Sequence, residues 1–195
     1  MGLFGRKSNE TSGSFASEPP LALSATDLTA ASQLMDKWDA ARGDSNAMWD
    51  CLEAFARLGG FHSAEATLQA GYEMGDSYAA VRRPWLWWAE AARLANARGE
   101  YALVGRIFLF AAHFTGLILP KMDWAIQSDV GLSYPDGGTY QDIARSAVDS
   151  LSHLPADMLI LNVANDRVAV ASALNAAKFV ASATNAQIIS GQTNG

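Results

Sequence analysis

The chain has 195 residues, half of them hydrophobic and 17% charged, which suits one domain with a sizeable core. Its net charge of −6 lacks the basic field that phosphates require, so nonspecific nucleic-acid binding is excluded as a default function. The single cysteine, Cys51, excludes an intrachain disulfide and fits a reducing compartment, so a cytoplasmic location is expected.

Residues 1–7 carry Leu3, Phe4, Arg6 and Lys7, but no long apolar run follows, so they do not read as a secretory signal. Arg6 stands where N-myristoylation wants Ser or Thr. Residues 1–23 are rich in Ser, Gly, Glu and Pro and predict a disordered leader, with a membrane-surface touch by its first residues as the lesser alternative. Residues 24–183 then read as one helical domain, and 184–195 as a loose tail.

Ser24 with Asp27 is a capping-box variant and marks a helix start. Leu28, Ala31, Leu34, Met35 and Trp38 form one apolar stripe, and Gly43 with Asp44 ends the helix. A second helix is predicted from Ser45 to Leu58, with Met48, Leu52, Phe55 and Ala56 inward and Cys51 as a buried thiol. Gly59-Gly60 supplies the next turn, and a third helix carries Ala64, Leu68, Gly71 and Tyr72. Pro84 is placed at a helix start, where its missing N–H costs little. That helix holds Trp85, Trp88, Ala89, Ala92 and Ala95 and ends at Gly99; its partner carries Tyr101, Val104, Ile107, Phe108 and Ala111.

The longest apolar stretch, 107–120, is interrupted by His113 and Thr115 and is too short to cross a bilayer, so no transmembrane segment is expected. A less regular helix over 121–132 precedes the turn signal Tyr134-Pro135-Asp136-Gly137-Gly138. Thr139 with Asp142 repeats the capping pattern ahead of a stripe of Tyr140, Ile143, Ala144, Ala147, Val148 and Leu151. Residues 158–163 fit either a strand or a buried helical turn. Residues 166–183 read as a last, alanine-rich helix with Val168, Ala171, Leu174 and Phe179.

Three segments repeat at spacings of 40 and 39 residues. Gly59, Gly99 and Gly138 set the register; Phe61, Tyr101 and Tyr140 follow two residues on, and Leu68, Phe108 and Ala147 nine on. A turn glycine, an aromatic and apolar residues at helical spacing describe stacked helical hairpins. In the second unit Trp88, Ala92 and Ala95, the Gly99 turn, then Tyr101, Val104, Phe108 and Ala111 resemble a tetratricopeptide (TPR) unit. The first unit offers Leu52, Phe55, Gly59, Phe61, Ala64 and Leu68. The third, through Gly131-Leu132-Ser133-Tyr134, Gly137-Gly138, Asp142 and Ala147, is similar to a Sel1-type repeat. The resemblance covers about residues 45–152 and implies a protein-binding role. The expected fold is all-α, made of antiparallel helical hairpins, as either a TPR-like stack or an irregular helical bundle.

No catalytic or metal-binding motif is legible, and no cofactor is expected. His62, His113 and His153 form no H-E-x-x-H or E-x-x-H pair, and no glycine-rich phosphate loop or nucleophile elbow is present. His113 reads as a core histidine. Asp149 and His153 share a helix face if that helix reaches position 153.

The segment Arg82-Arg83-Pro84-Trp85-Leu86-Trp87-Trp88 holds three tryptophans in four positions, more than one helix face can bury. Trp85 and Trp88 read as core. For Trp87 two readings stand: packing on a second side of a central helix, or an exposed anchor, since Trp and Arg are enriched at binding hot spots. The candidate partner-binding surface is therefore Arg82, Arg83, Trp87, Glu90 and Arg93. The function this predicts is a small intracellular adaptor or assembly subunit whose partner is another protein or peptide. A helical bundle holding a small apolar ligand, or an enzyme with an unrecognised site, are the alternatives.

Overall fold

A computed structural model describes residues 22–58, 77–118, 139–163 and 165–183. The helices predicted around 61–72 and 121–132, the turns at Gly59-Gly60 and at 134–138, the leader up to residue 21 and the tail from 184 lie outside the described residues. So do two of the three repeat glycines; the third, Gly99, has φ +76° and makes its hairpin turn in a conformation that favours glycine.

Among the described residues there are six helices and one two-stranded sheet, in agreement with the all-helical expectation. They are α1 (Ala25–Ala41), α2 (Ser45–Leu58), α3 (Ser77–Ala97), α4 (Tyr101–Ile118), α5 (Thr139–Leu151), β1 (Leu159–Val163), β2 (Asp166–Ala169) and α6 (Val170–Ser182). The capping box forms as read: the Ser24 backbone N–H donates to Asp27 at 2.7 Å, and the Asp27 N–H donates to the Ser24 hydroxyl. Asp44 accepts from the N–H groups of Asn46 and Ala47, so it starts α2 as much as it follows α1.

Two expectations are corrected. Pro84 lies inside α3, not at its start. The helix carries on through the one N–H that proline lacks, upstream of the buried Trp87 and Trp88. Residues 166–169 are a strand, not the opening of the last helix, because they pair antiparallel with β1, Val163 opposite Asp166 and Leu161 opposite Val168. The ambiguous 158–163 segment is thereby settled as the strand Leu159–Val163. Helix α5 ends at Leu151, so His153 does not extend its face; it stacks on Tyr101 with centroids 4.5 Å apart.

Helix α5 packs against α3, α4 and α6, while α1 packs against α2, α3, α4 and β1. Trp38, Trp88, Phe108, Phe110, Met35, Ile107 and Ile143 are the largest fully buried side chains. Gly105 lets α4 approach the end of α5 and β1, since a Cβ there would lie 2.8 Å from Leu151 Cδ2. The Gln141 side chain donates to the carbonyl of Ala183 at 2.8 Å and so satisfies a backbone oxygen at the end of α6. No described helix is long and apolar enough to cross a membrane.

Candidate functional site

Of the residues predicted as a binding surface on α3, Trp87 is not an exposed anchor. Trp87 is buried at 5% exposure, with its ring edge-on to Trp88 at 5.0 Å. The reason is the position of α3: it touches α1, α2, α4 and α5, and so buries apolar residues on more than one side. Glu90 and Arg93 come together, but with each other. Arg93 donates to Glu90 at 2.7 and 2.5 Å, and that pairing raises the Arg93 pKa. Arg82 and Arg83 belong to the first half of α3, and their side chains lie outside the described residues.

Two features formed by residues distant in sequence lie elsewhere. The first is polar. Arg106 is the only Asp, Glu, Lys or Arg in α4. It donates to Asp39 from Nε at 3.1 Å and from Nη2 at 2.8 Å, and to Asp36 from Nη2 at 2.7 Å. Burial pushes the Asp39 carboxyl above the usual carboxylate range, and the Arg106 guanidinium only partly opposes this. One turn along α1, Arg42 pairs with Asp166 of β2 and lies over the Trp38 ring. The His113 ring lies 6.0 Å from the same indole, tilted by 49°, and burial, then Arg42, holds its imidazole below the ordinary value. Sequence reasoning missed Arg106; its signal was a lone charge in an otherwise apolar helix, which a buried face can tolerate only with a partner.

The second is an apolar groove of about 340 Å³ where α4, α5 and α6 meet. Phe108, Leu109 and Ala112 line it from α4, Tyr140 from α5, and Asn175, Ala176, Phe179 and Val180 from α6. The α6 positions fall at i, i+1, i+4 and i+5, one face of a helix, so an alanine-rich sequence leaves a recess there instead of a filled seam. Phe108 and Tyr140, both lining it, stack with planes 9° apart. The Tyr140 phenol is protonated at neutral pH, as an ordinary tyrosine is, and burial raises its pKa further. The groove therefore offers apolar contact, the Asn175 amide and a neutral hydroxyl, which suits binding and supplies no acid, base or nucleophile.

Among the described residues no group of three His, Cys, Asp or Glu is placed to hold a metal ion. Cys51 is buried, and burial then the Asp50 charge push its thiol up, which disfavours the reactive thiolate. The chain matches no protein-family model, no curated protein and no solved structure.

Proposed function

We propose that this chain is a non-catalytic binding module, a cytoplasmic adaptor or assembly subunit, whose groove between α4 and α6 receives an apolar segment of a protein partner. The groove itself carries the reading: an apolar recess flanked by two helical stripes, Phe108, Leu109 and Ala112 on one side and Ala176, Phe179 and Val180 on the other. An amphipathic helix docks into such a groove through side chains at i, i+3, i+4 and i+7. The likeness of residues 45–152 to TPR and Sel1 repeats points the same way. A volume of about 340 Å³ also lies within the range of small-molecule pockets, so a small apolar ligand in the same recess is the second reading.

Selection of helical peptides from a display library, against wild type and Ala176→Arg, tests the proposal. Ala176 is exposed, so arginine there blocks the groove at little cost to folding. The expected binders carry apolar residues at helical spacing and lose on the order of tenfold in affinity, about 1.4 kcal/mol, on the variant. Peptides that bind both forms equally would place recognition elsewhere. A recess that takes small apolar molecules and no peptide would favour the second reading.

A further inference from the structure

The Trp38 indole is buried, and two basic side chains lie near it, Arg42 from the C-cap of α1 and His113 from α4. The Arg42 guanidinium carbon stands 4.9 Å from the ring centroid, an attractive placement of a cation over an indole face. The His113 ring lies 6.0 Å away from the same indole, tilted by 49°. His113 Nε2 is buried with no hydrogen-bond partner among the described residues. Arg42 also pairs with Asp166, so one side chain fastens the C-terminal end of α1 to both the indole and the hairpin.

The carboxylates of this region each hold an arginine, although Asp39 Oδ1 has no partner among the described residues. Asp36 and Asp39 of α1 hold Arg106 of α4, and Asp166 of β2 holds Arg42. Helix α3 reaches the cluster with an indole, Trp88, 5.7 Å from Phe110. The charge that acts on His113 is that of Arg42. A proton placed on His113 therefore meets a like charge beside the same indole, and its buried Nε2 has no acceptor among the described residues.

We propose that His113 makes the α1–α4 contact acid-sensitive: protonation sets a second cation beside Arg42 and loosens the C-terminal half of α1 from α4. Burial, then Arg42, holds the docked imidazole below its ordinary value of 6.5, so the opened chain takes up the proton more readily than the docked one. Docking is at full strength above that ordinary value and weakens as the pH falls toward the lower docked value. With one proton linked to opening, the open population rises by up to about tenfold per pH unit in that window.

Amide hydrogen exchange of the full chain between about pH 7 and about pH 5, corrected for intrinsic rates, tests this with wild type, His113→Gln and Arg42→Gln. The expected result is loss of protection over residues 34–41 toward the acid end in wild type, none in His113→Gln, and a smaller loss in Arg42→Gln. An NMR titration of the His113 imidazole covers a His113→Gln chain that fails to fold. Its midpoint is expected below 6.5 in wild type and higher in Arg42→Gln. Protection that does not change with pH, an equal loss in His113→Gln, or a His113 midpoint at or above 6.5 would each overturn the proposal.

Discussion

Arg106 and Asp39 lie 67 residues apart and are joined by two hydrogen bonds that converge on one carboxylate oxygen, Oδ2, at 3.1 and 2.8 Å. The other oxygen, Oδ1, is buried with no partner among the described residues. This half-satisfied carboxylate links the helix that carries Trp38 to a helix that lines the groove.

The two partners are expected to respond unequally to removal. Arg106→Ala strips a partly buried carboxylate of its donors and should cost about 2–3 kcal/mol near neutral pH. Asp39→Asn keeps the shape without the charge and should change stability by less than about 1 kcal/mol. The pH dependence follows from the raised Asp39 pKa: its contribution is fully present below 3.8 and is lost as the pH rises through the folded value. The penalty of Arg106→Ala should therefore shrink in acid. Urea denaturation at several pH values checks both statements; equal penalties for the two variants would contradict them.

Trp87→Ala is expected to destabilise the fold by about 3–4 kcal/mol, because the side chain is buried against Trp88 and a cavity would remain. Chemical denaturation measures this directly. A loss under about 1 kcal/mol would restore Trp87 as a surface anchor.

Gly105→Ala should destabilise by about 1 kcal/mol, although alanine is the better helix former by a similar amount. The new methyl would press on Leu151 and Ile160, which are both buried and have little room to retreat. Thermal unfolding of the variant reads the sum, and an increase in Tm would show that α5 and β1 can shift.

The sequence was most legible where a local rule had one answer. Ser24 with Asp27 and the stripe from Leu28 to Trp38 gave α1 its start and its buried face, because capping and periodicity both act within a few residues. The hairpin was less legible. Asp166, Arg167, Val168 and Ala169 suit the helix that follows them, and only pairing with Leu159–Val163 makes them a strand. Trp87 was ambiguous because one helix face cannot bury it and Trp88 together; the answer came from the four neighbours of α3. The groove was not legible at all. Phe108, Tyr140 and Ala176 come from three helices, and no periodicity within any of them says where a seam is left unfilled.

The most direct test of the binding account is where a selected helical peptide sits. Backbone amide shifts on titration would locate it. The largest changes are expected at Leu109, Ala112, Asn175 and Ala176, with Glu90 and Arg93 unmoved, and these changes should disappear in Ala176→Arg. Changes centred on Glu90 and Arg93, with the groove silent, would contradict the binding account and return recognition to the outer face of α3.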